Sequence, residues 1–177
     1  GNFVDFLRER MGTDRFEALA IPLSVVATDF WAREQVVLEQ GDLPSAIRAS
    51  MAVPGLFPPV ERDGRILVDG GLVNPVPYDL LLEDCDLVVA VDVLGERTAG
   101  DSMRPDSLEN VFNALLIQQA ALTREKLRRV APDVYLRPGI TDVRMLEFYR
   151  AEEIYGQAAP ARERLRKILT EKLGRTR

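Results

Sequence analysis

The order of apolar and polar positions along the chain predicts strands that alternate with helices. Apolar runs typical of strands lie at 19–28, 35–39, 86–93 and 133–139. Helical spacing is found over 2–11, 43–51, 78–82, 107–130 and most of the chain after 139. Because the 86–93 run, "DLVVAVDV", is almost wholly apolar, it is expected to be a central strand of a parallel sheet. The alternation favours a layered α/β fold with a mostly parallel sheet.

Two Asp-Gly pairs follow one another closely in the segment "VERDGRILVDGGLVNPVP". Asp63-Gly64 separates two short strand-like runs, and this pair is the most frequent two-residue hairpin turn. Asp69 is followed by Gly70 and Gly71, and then by two prolines that no central strand accommodates. The glycines allow positive φ and close backbone approach. Because they carry no side chains, they leave the neighbouring carboxylate accessible. Asp69 is therefore either one more turn residue or the base of an active site.

Three aspartates, Asp29, Asp69 and Asp92, stand at or just beyond predicted strand ends. Ligands of parallel α/β sheets bind beyond the carboxyl ends of the strands, so all three are candidates for chemistry. Aspartate is also a common turn residue, because its side chain hydrogen-bonds to nearby backbone N–H groups. We expect Asp29 and Asp92 to be such turn residues, whereas spacing alone leaves both interpretations of Asp69 open.

Composition indicates a single globular domain over residues 1–177, with a net charge of −5. The negative charge argues against nucleic-acid binding, which requires a basic surface. No apolar run approaches the roughly 20 residues of a membrane span, and no signal peptide is recognisable. The lone cysteine, Cys85, excludes an internal disulfide, so we expect a reducing, cytoplasmic location.

The chain contains no histidine. That absence removes Ser-His-Asp and Cys-His catalysis, together with the His-based sites that dominate catalytic zinc chemistry. The carboxylates are scattered and no glycine-rich phosphate loop is present, so neither a metal nor a cofactor is expected. If this chain takes part in hydrolysis, a carboxylate must act in place of an imidazole.

The segment "ASMAVPGLFPPV" at 49–60, followed by the "DGG" of residues 69–71, resembles the second half of a patatin-like phospholipase domain. "VVATDF" at 25–30 and the 86–93 strand are also similar to features of that family. The resemblance implies a three-layer α/β/α sandwich with a mostly parallel central sheet. It also implies hydrolysis of lipid esters by a Ser-Asp dyad, with Asp69 as the base, Gly70 and Gly71 supporting it, and an upstream glycine-rich loop that stabilises the oxyanion.

The five serines of the chain do not match the Gly-x-Ser-x-Gly elbow of the family. In the family, the elbow and the oxyanion loop both precede the segments found here. The chain is therefore expected to be the C-terminal portion of the domain, without its N-terminal strands and without activity by itself. A non-catalytic lipid-binding or protein-interaction module on the same scaffold is the alternative.

Other features point to structure more than to chemistry. Ser50 lies among helix formers, and Cys85 lies between two aspartates, whose negative charges should make its thiol unreactive. The C-terminal helix is basic and amphipathic, with seven basic and two acidic residues over 162–177. Such a helix can lie on an anionic lipid surface, but we expect it to dock on the domain with its charges in water. A lipid or other acyl ester is the expected substrate. The protein is expected to contact the membrane surface peripherally when it acts on such a substrate.

Overall fold

A computed structural model describes residues 9–95, 107–143 and 147–174 of the chain. Most of the helix predicted at 2–11 lies outside these residues, and only 9–11 are seen as helical. The chain divides into two compact units, one formed by Gly1–Pro75 with Ala121–Thr123 and the other by Val76–Ala120 with Arg124–Arg177. The single domain over 1–177 stays a prediction.

The first unit contains a four-stranded antiparallel sheet and one helix. Its elements are β1 (Val25–Asp29), β2 (Glu34–Leu38), helix α1 (Leu43–Ser50), β3 (Val60–Arg62) and β4 (Arg65–Asp69). The spatial order of the strands is β2-β1-β4-β3, so β1 and β4 are central. The strand predicted at 19–28 is shorter than expected at its start, because it begins only after Pro22.

Local chemistry sets the boundaries of α1 and of the β3–β4 hairpin. The Asp42 carboxylate caps α1 by accepting a hydrogen bond from the Ser45 N–H at 2.6 Å, and Pro44 occupies the tolerant first turn. Asp63 and Gly64 have φ of 52° and 73°, the positive values that a type I′ hairpin turn requires. Both the helix predicted at 43–51 and the Asp-Gly hairpin are confirmed.

Helix α1 packs against one face of this sheet. Ala27 and Leu67, from the two central strands, are almost fully buried on that face. The remaining core residues are Phe16, Val25, Leu38, Leu43, Ala46, Ala49 and Val60. The small alanine side chains on α1 allow the helix to pack close to the strands, near the end of β4.

A single arginine ties the hairpin to the loop before α1. The largely buried Arg62 donates hydrogen bonds to the backbone carbonyls of Gln40 and Asp42, each at 2.7 Å. These carbonyls precede the helix, so the guanidinium joins the end of β3 to the start of α1.

The second unit is built around a short parallel sheet. It comprises β5 (Val89–Val91), most of helix α2 (Ser107–Arg129), β6 (Val134–Leu136) and helix α3 (Ala151–Gly174). Val89 pairs with Val134 in the parallel register. Tyr78, in the 3₁₀ turn Tyr78–Leu81, is buried with Val88 and Ala90, and its hydroxyl donates to the Val130 carbonyl at 2.8 Å.

The prediction of a mixed α/β chain is confirmed, but the sheets differ from the mostly parallel one expected. Among the described residues, the four-stranded sheet is antiparallel throughout, and only β5 and β6 pair in parallel. The cause lies in the connections, because a hairpin such as 60–69 can only join antiparallel neighbours. None of the described helices is both long and apolar enough to cross a bilayer.

Candidate active site

Asp69 is the last residue of β4 and is fixed by its own backbone. It pairs with Ala27 of β1, and its N–H donates to the Ala52 carbonyl at 3.1 Å. The hydroxyl of the buried Thr28 donates to the Asp69 carbonyl at 2.7 Å. The main chain is thus held on two sides, by β1 and by the segment that follows α1.

The Asp69 carboxylate caps the short 3₁₀ turn Gly70–Leu72. Its Oδ1 accepts a hydrogen bond from the Gly71 N–H at 2.7 Å. In the part of the chain that the structure describes, this is the only hydrogen bond to the carboxylate, so Oδ2 is available to another donor. Burial raises the pKa of Asp69 above its usual range, and the Gly71 N–H opposes this shift only in part. A carboxyl group with a raised pKa is suited to accept a proton near neutral pH.

Glycine is needed at position 70 because the backbone of Val26 lies very close to it, and not because the residue has an unusual φ. Neither Gly70 nor Gly71 has a positive φ, so of the two properties that glycine allows, the fold uses close backbone approach at Gly70. A Cβ on the buried Gly70 would lie 2.3 Å from the carbonyl oxygen of Val26 and 2.7 Å from its carbonyl carbon. Any side chain at this position would therefore push the Asp69 turn away from β1.

The "ASMAVPGLFPPV" segment forms the other wall of this site. Ala49 and Ala52 are almost fully buried, and the Ala52 carbonyl receives the N–H of Asp69. Beyond them, the N–H groups of Leu56 and Phe57 both donate to the Val53 carbonyl at 3.0 Å. The two motif segments, separate in sequence, are therefore directly hydrogen-bonded in the fold.

Asp29 is a turn residue, as expected, and is offset from Asp69 by two positions along the β1–β4 ladder. Its Oδ1 accepts hydrogen bonds from the N–H groups of Trp31 and Ala32, both at 3.0 Å. Because β1 and β4 are antiparallel, their carboxyl ends point in opposite directions along the sheet. The expectation that strand-end aspartates share one edge does not hold for this pair.

Asp92 is buried in the second unit and acts as a structural acceptor. It accepts hydrogen bonds from the Tyr135 hydroxyl at 2.5 Å and from the Leu94 N–H at 3.0 Å, and the Arg137 Nε lies 3.6 Å away. Burial and the hydrogen bond to Asp92 raise the pKa of Tyr135 to about 12. Both carboxylate oxygens of Asp92 are thus engaged within the protein.

The comparisons with known proteins cover the part of the chain that contains Asp69. Residues 1–82 match the family model described as patatin-like phospholipase. An uncharacterized NTE family protein of Mycobacterium tuberculosis is 42% identical over 121 residues, which are 67% of this chain and 34% of that protein. The chain belongs to the patatin-like phospholipase family. The match covers β1 to β4 and both motif segments that meet at Asp69.

Fungal relatives of this patatin-like chain carry a functional description. Lysophospholipase NTE1 of Saccharomyces cerevisiae is 34% identical over 132 residues, which are 62% of this chain and 8% of that protein. Lysophospholipase NTE1 of Candida glabrata is 29% identical over 167 residues, 81% of this chain and 10% of that protein. The chain spans about a third of the length of the mycobacterial relative and much less of the fungal proteins.

The remaining candidates of the patatin-like chain show no further site. Ser50 ends α1 and is half-buried, and Cys85 is exposed. Within the described ranges, no three Cys, Asp or Glu side chains are grouped so that they could hold a metal ion. Sequence reasoning missed the hydroxyl of Thr28 as a support of Asp69. The sequence of β1 does not reveal it, because the contact depends on how β1 and β4 pair.

Proposed function

We propose that this chain supplies the catalytic base of a lipid acyl hydrolase that works by a Ser-Asp dyad. The observation that carries the proposal is the Asp69 carboxylate, with one oxygen held by the Gly71 N–H and a pKa raised by burial. Membership of the patatin-like phospholipase family supports the reaction class, because both fungal relatives are named as lysophospholipases.

The proposed reaction has two steps. In the first, Asp69 accepts the proton of a serine hydroxyl while the serine oxygen attacks the ester carbonyl, and the alcohol leaves with that proton. In the second, Asp69 takes a proton from water, and the water oxygen attacks the acyl-enzyme. The bond to the serine oxygen then breaks, Asp69 gives its proton back to that oxygen, and the carboxylic acid is released. The Gly71 N–H fixes one carboxylate oxygen during both steps, which leaves Oδ2 for proton transfer.

The serine belongs, in this proposal, to a part of the protein outside these 177 residues. None of Ser24, Ser45, Ser50, Ser102 and Ser107 has the flanking glycines of a nucleophile elbow. The 177-residue chain is accordingly expected to hydrolyse no ester by itself. The three-layer sandwich with a mostly parallel sheet belongs to the same proposal, and the parallel pairing of β5 with β6 supports it.

The proposed substrate class is a phospholipid or lysophospholipid carboxylic ester. The proposed location is the cytoplasmic side of a membrane surface, consistent with the single cysteine. Cofactors have no part in the mechanism, since the serine, the aspartate and water provide every atom that is transferred.

The test compares Asp69→Asn with Asp63→Asn in the protein that contains the serine. Both variants replace a carboxylate by an amide, but Asp63 is exposed at the hairpin turn, where asparagine is equally suitable. We expect Asp69→Asn to lower kcat on p-nitrophenyl butyrate and on lysophosphatidylcholine by about 10²–10⁴-fold. Asp63→Asn should retain full turnover. Unchanged turnover in Asp69→Asn would overturn the assignment of the base.

A further inference from the structure

The turn between β1 and β2 presents two exposed aromatic side chains, Phe30 and Trp31, which we call the aromatic tip. They are 47% and 76% exposed, and their rings meet edge to face with centroids 4.9 Å apart. We propose that the aromatic tip inserts into the interface of a phospholipid bilayer and docks the protein on the membrane. The inference deepens the proposed function, because it assigns the surface by which a lipid hydrolase reaches its substrate.

The N–H groups of the turn are already paired within the protein. The Phe30 N–H donates to the Ile66 carbonyl and the Arg33 N–H to the Asp29 carbonyl, each at 2.8 Å. The N–H groups of Trp31 and Ala32 both donate to the Asp29 carboxylate at 3.0 Å. Every N–H of the four turn residues is therefore paired. Since an unpaired N–H is costly away from water, this pairing allows the turn to enter the interface.

The charges around the tip are suited to a phospholipid headgroup. The Arg65 Nε lies 3.9 Å from the second oxygen of Asp29, so the carboxylate that caps the turn has a cation beside it. Arg33 and Arg65 are both exposed. Guanidinium groups bind phosphate oxygens in a bidentate manner, and every phospholipid headgroup carries a phosphate. Tryptophan is itself enriched where proteins meet the membrane–water interface.

The size of the tip favours a lipid surface over a protein partner. Two aromatic side chains bury roughly 150–250 Å² each, whereas a stable protein interface needs about 800 Å² on each side. A lipid bilayer is fluid, so a small aromatic tip can insert into it without a binding surface of complementary shape. Because the chain has a net charge of −5, we expect ring insertion, and not attraction to anionic lipid, to carry the binding.

The experiment uses the fact that Trp31 is the only tryptophan of the chain. Phosphatidylcholine vesicles are added to the 177-residue chain while Trp31 emission is recorded. We expect a blue shift, and quenching when the acyl chains are brominated near the headgroup. Emission that is unchanged by vesicles, or already blue-shifted without them because protein covers the ring, would overturn the proposal.

Variants separate the tip from non-specific adsorption. Phe30→Ala and Trp31→Ala should each weaken vesicle binding in a sedimentation assay by about tenfold or more. Trp31→Phe should retain most of the binding. Tyr155→Ala is the matched control, because Tyr155 is an equally exposed aromatic on α3, at 69%. Equal losses in Tyr155→Ala and the tip variants would contradict the assignment.

The binding assay requires no turnover, so the two proposals fail separately. If the complete protein binds vesicles through the tip but Asp69→Asn retains full turnover, the base assignment fails and the docking surface stands. If Asp69→Asn abolishes turnover but the tip variants bind vesicles like the unchanged chain, only the docking surface is lost.

Discussion

The N–H of Asp69 donates a hydrogen bond to the carbonyl of Ala52 at 3.1 Å. This bond joins the end of β4 to the segment that follows α1, so the candidate base is placed by main-chain contacts and not by a flexible side chain. With Thr28 on the other side, the position of the carboxylate depends on how closely the strands and helix pack.

The first prediction concerns Gly70. Gly70→Ala should destabilise the protein by about 1–3 kcal/mol, because its Cβ would overlap the backbone carbonyl of Val26. Chemical denaturation followed by circular dichroism measures the change. Gly156→Ala is the control, since Gly156 lies within α3 with no atom near its Cβ position. That variant should be stabilised by about 0.5–1 kcal/mol, and a loss of similar size in both variants would contradict the steric explanation.

The second prediction concerns stability and pH. Because burial raises the folded-state pKa of Asp69, its contribution to stability is full below the unfolded value of 3.8 and is lost as the pH rises through the folded value. Asp69→Asn should therefore unfold at a higher temperature than the unchanged chain at neutral pH, and the difference should disappear below pH 3.8. Thermal melts across this range provide the measurement, with Asp63→Asn as the exposed control. A lower melting temperature for Asp69→Asn at neutral pH would contradict the direction of the shift.

The third prediction concerns the pH dependence of turnover in the complete protein. A base must be deprotonated to act, so kcat/KM should fall as the pH is lowered through the pKa of free Asp69. Because that pKa is raised, the fall should be centred above 3.8. A soluble ester substrate avoids changes in the lipid surface over the same range. An acid limb that persists unchanged in Asp69→Asn would show that another group causes it.

The fourth prediction concerns the Tyr135–Asp92 pair. Tyr135→Phe removes the hydroxyl that donates to the buried Asp92, and should destabilise the protein by about 1–3 kcal/mol. In ultraviolet titration the variant should lose the tyrosine that ionises at about pH 12. Tyr155→Phe, on the exposed side of α3, should change stability by less than about 0.5 kcal/mol.

Sequence alone could predict the elements whose cause is local. The Asp63-Gly64 turn and the helix at 43–50 depend on residues a few positions apart, and both are found where expected. The direction of strand pairing could not be predicted in this way, because it depends on which strands become neighbours in β2-β1-β4-β3. For the same reason Asp29 and Asp69, alike in sequence context, lie at opposite ends of paired strands.

The sequence motif identifies the residue at the centre of the candidate site, but the contacts around that residue could not be predicted from the sequence. The "DGG" segment identifies Asp69 as a candidate, yet the role of Gly70 is steric and arises from the approach of Val26. Neither the Thr28 hydroxyl nor the Ala52 carbonyl carries a signal in its own local pattern. Both become partners of Asp69 only when β1, β4 and α1 pack together.

The bonds from Arg62 to the carbonyls of Gln40 and Asp42 affect how this part of the protein opens. Arg62 is the last residue of β3 and therefore belongs to the hairpin that ends in Asp69. Its acceptors precede α1. The hairpin and the helix cannot separate without breaking these two hydrogen bonds of the Arg62 guanidinium. Their amide protons should consequently exchange with solvent as one cooperative unit, so that loosening the start of α1 also exposes the base.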